Sequence, residues 1–454
     1  MVCERIFRAY DIRGVYGVEL TEEIVERIGR ALSSYLSDEG KTVLLGRDVR
    51  LSSKPLSDAV ARGMLSGGLN VEDIGLVTTP ILYFSSVHHR KNAGVMVTAS
   101  HNPPEWNGLK IWTENGFVTM GKGMEELKEL VLNGRFEMAR TRGKLKFNPN
   151  VLKDYEEYVA GKISIEKRLK VVVDPGNGSA SLLTPRVFEK VGLEAIAINN
   201  VPDGSFPAHP PLPSMETLSY ARSLVIESEA DFGVGFDGDG DRALFIDDRG
   251  RIVPSAAIFI TLAEHYLERH KGASIVYEVS APMCIEETIR NKGGKPVVSR
   301  VGHTFIVERM LEEKAPFGGE MSGHYYFMDL YGFDDAVYAS LKVAEILSER
   351  RENLSKIVDS LPKYPSTPSI NFYCPDEKKF RVVDELAEEF KSEGFTVILL
   401  DGVKVIEDDG WFLVRASNTE PIIRLTVEAR NEEALRRLTL FAEERIKKEM
   451  QEGA

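Results

Sequence analysis

Three aspartates on alternate residues, in the run Asp237-Gly238-Asp239-Gly240-Asp241-Arg242, are the densest concentration of chemically capable side chains in this sequence. In extended backbone, alternate side chains point to one side. The glycines between them let the loop curl so that the carboxylates converge. A donor set of oxygens with no Cys or His selects a hard cation, Mg²⁺ or Ca²⁺. A calcium EF-hand is rejected, because its sixth loop position needs glycine where this chain has Arg242, and its twelfth needs glutamate where this chain has Asp248. The flanks, residues 232–236 and 243–246, also read as strands rather than helices. The bland alternative, a solvated acidic turn, sits poorly between two buried strands.

A second run, Val97-Thr98-Ala99-Ser100-His101-Asn102-Pro103-Pro104, ends an apolar stretch at 93–97 that reads as a buried strand. The ordinary fate of a serine beside Asn and Pro is a turn or cap hydroxyl. A hydrolase elbow is excluded, since no Gly-x-Ser-x-Gly surrounds Ser100. A serine that carries phosphate needs its charge neutralised, and the distant aspartate loop with a cation supplies that. His101 is adjacent, and Lys110 follows the turn pair Asn107-Gly108, placed to project toward the same pocket. Two further loops are polar and turn-like. Gly318-Gly319-Glu320-Met321-Ser322-Gly323-His324 spaces Glu, Ser and His by two, a pattern suited to sugar hydroxyls. Arg415-Ala416-Ser417-Asn418-Thr419-Glu420-Pro421 sets a guanidinium beside hydroxyls, an amide and backbone N–H groups, which are good phosphate ligands. Taken singly, either is as readily an ordinary polar turn.

Short Val/Ile/Leu runs alternate with longer helical patterns throughout, the signature of α/β units with largely parallel sheets. Residues 21–36 place Ile24, Ile28, Leu32 and Leu36 on one helical face, and a strand at 42–45 ends at Gly46-Arg47-Asp48. The pattern returns at 169–173 before Asp174-Pro175-Gly176-Asn177-Gly178, at 232–236 before the aspartates, and at 275–279 before Ser280. Helices are predicted at 151–160 and 256–270. The Pro-rich segment 361–368 precedes a small α+β pattern closed by an amphipathic helix at 432–448, which reads as a separate, movable domain. Four segments result: 1–150 with the serine loop, 151–252 with the aspartate loop, 253–365 with the Glu-Ser-His loop, and 366–454 with the Arg-Ser-Asn-Thr loop.

The chain has 454 residues, too many for one ordinary core, with 43% hydrophobic and 28% charged residues, as in soluble globular proteins. A net charge of −13 argues against generic binding to nucleic acid or to an anionic membrane. No apolar run approaches the roughly 20 residues of a membrane span, and residues 1–5 show no signal-peptide pattern. Cys3, Cys284 and Cys374 are far apart and form no zinc spacing, which favours a reducing cytoplasm.

In this order the motifs resemble the α-D-phosphohexomutase superfamily, and within it the phosphomannomutase/phosphoglucomutase group. Phe7-Arg8-Ala9-Tyr10-Asp11-Ile12-Arg13-Gly14 resembles that group's opening motif, and Thr98 to Pro103 its phosphoserine loop. Asp237 to Arg242 resembles its metal loop, Glu320 to His324 its sugar loop, and Arg415 to Thr419 its phosphate loop. The matches are collinear over nearly the whole chain.

The resemblance implies four domains around a central cleft: three related α/β domains with mixed sheets and a smaller C-terminal α+β domain that closes over substrate. It implies reversible interconversion of hexose 1-phosphate and hexose 6-phosphate, of mannose or glucose, through a phosphoserine enzyme and a hexose 1,6-bisphosphate that serves as intermediate and activator. Carried over by residue, Ser100 donates and accepts phosphate. Asp237, Asp239 and Asp241, joined by Ser100, hold one Mg²⁺. Arg13, His101 and Lys110 surround the phosphoserine, Arg242 adds transition-state charge, and Lys110 and His324 are the acid–base candidates. Tyr10, His303, Glu320, Ser322 and His324 contact the sugar phosphate, with Arg415, Ser417, Asn418 and Thr419 on its non-reacting phosphate. The implied partners are small sugar phosphates.

Some bacterial members carry a lysine after the strand at 275–279. This chain has Ser280, so that lysine's contact is not carried over. The phosphoglucosamine mutase branch opens with Gly-Thr-Asp-Gly and has glutamine at the position of Met321; both differences disfavour it. It stands as one alternative, a non-catalytic sugar-phosphate sensor as another, and a sugar-phosphate phosphatase as a third. A sensor has no need of a nucleophile.

Overall fold

The computed structural model describes residues 2–8, 11–36, 40–113, 116–117, 122–136, 139–417 and 420–452. They fall into two compact units, Met1–Leu262 with Ser322–Asp359, and Ala263–Met321 with Ser360–Ala454.

In the first unit, the strand Ala93–Val97 is apolar and buried along its whole length, as expected of a strand covered on both faces. It runs parallel to Thr42–Arg47 and antiparallel to Trp106–Thr113. Outward from these, Ile12–Val15 pairs with Trp106–Thr113 on one side, and Asn70–Leu76 then Leu145–Phe147 follow Thr42–Arg47 on the other. Register carries chemistry here. Lys110 lies opposite Met96, and Arg13 lies opposite Gly108. A Cβ at Gly108 would stand 2.1 Å from the carbonyl oxygen of Ile12, so only glycine lets the Arg13 strand dock. The amphipathic helix Glu22–Leu36 buries Val25, Ile28, Leu32 and Leu36. Helix Thr79–His88 is capped by Thr78, whose hydroxyl accepts from the N–H of Ile81.

A second sheet orders Ile252–Val253, Ala243–Asp247, Phe232–Phe236, Lys170–Asp174 and Glu194–Ala197. Phe232–Phe236 is wholly buried, parallel to Lys170–Asp174 and antiparallel to Ala243–Asp247. On one face of this sheet Val172, Ile246, Leu218 and Val225 pack together. The same unit holds the hairpin Tyr325–Phe327 and Phe333–Asp334, followed by the largely buried helix Ala336–Arg350.

In the second unit, Ser274–Glu278 lies between Lys295–Ser299 and Phe317–Gly319, all parallel. An antiparallel sheet orders Ile370–Tyr373, Ile422–Ala429, Gly410–Ala416, Val403–Glu407 and Thr396–Ile398. Helices Asp376–Ser392 and Glu432–Glu452 cover it through Leu386, Phe390, Leu438 and Ile446. This C-terminal sheet shares one compact unit with residues 263–321. Lys404 Nζ donates to the carbonyl of Val279 at 2.8 Å, Glu428 accepts from the N–H of Met283 at 2.7 Å, and Trp411 and Leu413 pack on Val279. The fold is of the expected class, mixed α/β sheets followed by a smaller α+β C-terminal piece. Among the described residues no helix is long and apolar enough to cross a membrane.

Candidate active site

The strand Ala93–Val97 delivers Ser100 into the interior, 1% exposed. Ser100 has φ +50°, in the left-handed region, which costs a non-glycine residue of order 1–3 kcal/mol and persists only where surroundings enforce it. Its N–H donates to Thr98 Oγ1 at 2.9 Å, and its Oγ donates to Asp237 Oδ2 at 3.0 Å. His101 Nδ1 stands 3.2 Å from the same Oγ. Burial, together with the charges of Arg242 and Arg13, pulls His101 down to about 3, so the ring is neutral. Arg13 reaches the loop from its neighbouring strand, donating to Asn102 Oδ1 at 2.7 Å and to Asp11 at 2.6 Å.

The aspartate loop follows Phe232–Phe236 as a tight turn rather than extended backbone, so convergence comes from curling around one carboxylate. Asp237 Oδ1 accepts from the N–H groups of Gly240, Asp241 and Arg242 at 3.0, 3.1 and 3.2 Å. Gly240 has φ +76°. At Gly238 a Cβ would lie 2.7 Å from the carbonyl oxygen of Ser100, so the loops meet backbone to backbone. Ligand atoms of Asp237, Asp239 and Asp241 lie within 4.8 Å of one another, and all three residues are buried. Thr79 Oγ1 donates to Asp239 Oδ2 at 2.6 Å. Asp239 Oδ1 and Asp241 Oδ1 are buried with no hydrogen-bond partner among the described residues. Orphaned acceptors of this kind are costly, and an all-oxygen set with two of them fits a hard divalent cation. Burial and the charges of Asp241 and Asp239 push Asp237 well above the usual carboxylate range.

Lys110 sits among these carboxylates, its Nζ 2.8 Å from Asp239 Oδ2 and 2.6 Å from Asp241 Oδ2. Burial alone would lower its pKa, but the two aspartates outweigh burial and raise it. A lysine acting as base needs the opposite shift; here Lys110 is a fixed ammonium, and the base role does not suit it. His324, the other acid–base candidate, is oriented from both sides. Arg242 Nε donates to its Nε2 at 2.8 Å, and its Nδ1 lies 2.5 Å from Asp334 Oδ2. In the neutral ring, Nδ1 carries the proton toward Asp334. Burial lowers its affinity for a second proton, but Asp241 and Asp334 overcome that and set its pKa at about 9.

The remaining expected residues are carried on other loops. Ser322 is exposed in the first unit. In the second unit, His303 opens the helix His303–Glu313, and the preceding Gly302 donates its N–H to Glu320 Oε1 at 2.7 Å, tying those two loops together. Arg415 pairs with Asp401 at 2.8 Å, and its Nε is buried with no hydrogen-bond partner among the described residues. Ser417 is buried, and its Oγ accepts from the N–H of Glu420 at 3.2 Å. Tyr10, Asn418 and Thr419 lie outside the described residues. Several groups are reached only through the structure. They are Thr79 and Asp334, the buried pair Asp48 and Arg50, and Glu278. Burial and the neighbouring Glu320 raise Glu278 to about 7. Ser280 donates to Glu278 Oε1 at 2.5 Å.

Four family models match, all described as phosphoglucomutase/phosphomannomutase: alpha/beta/alpha domains I, II and III at residues 4–138, 153–250 and 254–364, and the C-terminal domain at 370–444. A phosphomannomutase/phosphoglucomutase of Pseudomonas aeruginosa is 37% identical over 440 residues, covering 96% of this chain and 94% of that protein. A phosphoglucomutase of Neisseria meningitidis is 35% identical, covering 96% and 95%. The crystal structure of a phosphoglucomutase/phosphomannomutase family protein from Burkholderia thailandensis superposes with TM-score 0.91 at 34% identity, covering 99% of this chain and 98% of that one. With all four domains matched in order and the identity running nearly end to end, the chain belongs to the phosphoglucomutase/phosphomannomutase family.

Proposed function

We propose that this enzyme, an intramolecular phosphotransferase, interconverts hexose 1-phosphate and hexose 6-phosphate with Ser100 as the group that carries phosphate between sugars. The observation that supports this most directly is a buried, conformationally strained serine whose Oγ touches one member of a buried three-aspartate loop. In the first half, the Oγ–P bond of phospho-Ser100 breaks as a bond forms from phosphorus to the free hydroxyl of a hexose monophosphate, giving the 1,6-bisphosphate. The sugar turns end for end, its other phosphoryl group returns to Ser100, and the isomeric monophosphate leaves. Such transfers need positioning and charge stabilisation more than covalent help.

Asp237, Asp239 and Asp241, with Ser100, would hold one Mg²⁺ per chain, which when bound supplies Lewis-acid neutralisation of phosphoryl oxygens. Lys110 holds two of those aspartates in place and lends a fixed positive charge. Arg13 orients the serine loop through Asn102, and Arg242 adds positive charge beside it. The proton that the sugar hydroxyl loses is matched by the one that Oγ gains, and His324, paired with Asp334 through Nδ1, is the acid–base group assigned to that exchange. His101 Nδ1 stays within hydrogen-bond reach of Oγ and helps fix its position. Tyr10, His303, Glu320 and Ser322 are assigned to sugar contacts, and Arg415, Ser417, Asn418 and Thr419 to the resting phosphate. A cytoplasmic location is supported by three cysteines that are all free thiols.

The test is turnover of glucose 1-phosphate primed with trace glucose 1,6-bisphosphate, read as glucose 6-phosphate. Isomer should form with negligible free phosphate; phosphate release at a comparable rate would make the protein a phosphatase instead.

Two smaller predictions arise here. Arg415→Ala should raise KM for the sugar phosphate by one to two orders of magnitude with little change in kcat. Losing a charge-assisted hydrogen bond costs about 1.5–3 kcal/mol, and the lost contact is to the phosphate that is not reacting. An unchanged KM removes this loop from the substrate site. Glucose 1-phosphate and mannose 1-phosphate should both react, at rates of similar order. Glu320 and Ser322 are assigned to the hydroxyls at carbons three and four, which the two sugars share; they differ at carbon two. A site built to bond a hydroxyl rejects an analogue lacking it, and neither sugar lacks these. Glucosamine phosphate should be slower. Parallel kinetics on the three phosphates decide; glucosamine phosphate as the best substrate would move the chain to the other branch.

A further inference from the structure

Arg50 is among the largest fully buried side chains in the protein. Every N–H of its guanidinium is used. Nη2 donates to the carbonyls of Ser100 at 2.8 Å and Asn102 at 2.6 Å, and Nη1 to those of Pro103 at 2.5 Å and Trp106 at 3.1 Å. Nε donates to Asp48 Oδ2 at 3.0 Å, and the ring of Phe206 lies across the guanidinium, 5.3 Å away. The main-chain partners are three residues of the loop that carries the nucleophile and the first residue of the strand that follows it. Asp48 extends the network: Oδ1 accepts from the N–H of Arg50 and from Ser53 Oγ, while Oδ2 also accepts from Thr98 Oγ1 at 2.8 Å. Thr98 Oγ1 is in turn the acceptor for the N–H of Ser100.

Both main-chain polar groups of Ser100 are thus fixed by a single buried network, the C=O by Arg50 and the N–H by Thr98. A buried ion pair is a poor device for stability, since well-packed apolar residues often do as well. This one is spent on a residue at φ +50°. A five-donor planar fork can hold several diverging carbonyls at once, which an ammonium cannot. Given the transfer role of Ser100 proposed above, on which this rests, we infer that Arg50, fixed by Asp48 and acting with Thr98, is a positioning residue for both phosphoryl transfers. It keeps Ser100 in the left-handed conformation, so that Oγ occupies one place when phosphate leaves and when it returns.

The test uses the full chain with Thr98→Val, Thr98→Ser and Arg50→Lys. Steady-state kcat and KM, single-turnover phosphorylation of Ser100 by glucose 1,6-bisphosphate followed by intact mass, and the thermal unfolding midpoint are measured for each. Thr98→Val, which keeps the side-chain shape, should lower kcat and the single-turnover rate together by about 10- to 100-fold, with KM changed by no more than about threefold, the pattern of a misplaced reacting group. Thr98→Ser, which keeps the hydroxyl, should restore both rates, and Arg50→Lys should lose at least as much as Thr98→Val. If Arg50→Lys does not fold, the threonine pair still decides. A folded Thr98→Val with wild-type kcat, or a Thr98→Ser as slow as Thr98→Val, overturns the inference. A wild-type enzyme that takes no phosphate on Ser100 would instead overturn the role of Ser100 itself, and the inference with it.

Discussion

Ser100→Ala is expected to fold normally and to lose about four or more orders of magnitude in turnover, the scale on which removal of a covalent nucleophile acts. The substitution removes only Oγ. The Ser100 N–H bond to Thr98 and the Arg50 bonds to the loop carbonyls all involve main chain and survive. Asp237 loses one donor but keeps three backbone N–H groups on its other oxygen. The unfolding midpoint should therefore stay close to that of the wild type. After incubation with glucose 1,6-bisphosphate, intact mass should show one added phosphoryl group on the wild type and none on the variant. Turnover near the wild-type rate in Ser100→Ala would end the covalent mechanism.

The second large effect concerns the aspartate loop. Exhaustive chelation should abolish turnover and Mg²⁺ should restore it. Asp239→Asn should lower the rate by at least about a hundredfold and raise the Mg²⁺ concentration needed, since one of three charged ligands is gone. The amide also has only one acceptor oxygen. Asp239 Oδ2 now receives Lys110 Nζ and Thr79 Oγ1, while Oδ1 has no partner among the described residues; in asparagine one of these positions becomes a donor. A readout independent of catalysis comes from linkage: a ligand that binds the folded state raises the unfolding midpoint. Mg²⁺ should do so for the wild type and far less for Asp239→Asn. Full activity after chelation, or an unaltered Mg²⁺ dependence in the variant, would count decisively against this site.

The elements that present these residues were legible because their boundaries are chemical. Ala93–Val97 and Phe232–Phe236 are apolar runs that end at polar, Gly- or Pro-bearing loops, and helix Val151–Ala160 begins just after Asn148-Pro149-Asn150. Elsewhere the strand reading slips by one residue, as at Ser274–Glu278 and Lys170–Asp174. The aspartate spacing pointed to a cation site, and motif order pointed to Ser100. The charge state of Lys110 could not be read, because its partners lie 129 and 131 residues away and reverse the direction of its pKa shift. Asp334 meets His324 only through a hairpin of the fold. Arg50 was missed for a plainer reason. Arginine is almost never fully buried unless paired, so a charged loop after a strand reads as solvent-facing, and nothing local announces that five N–H groups turn inward.

The contact between Gly238 and the carbonyl of Ser100 makes the spacing of nucleophile and acidic loop a main-chain dimension. Gly238 and Ser100, far apart in sequence, are seated with no side chain between them. The gauge of the reaction is therefore largely indifferent to the surrounding side-chain vocabulary. It is sensitive to loop length, where one inserted or deleted residue would reset it, and to a single methyl group, the smallest shim chemistry can place at that seam.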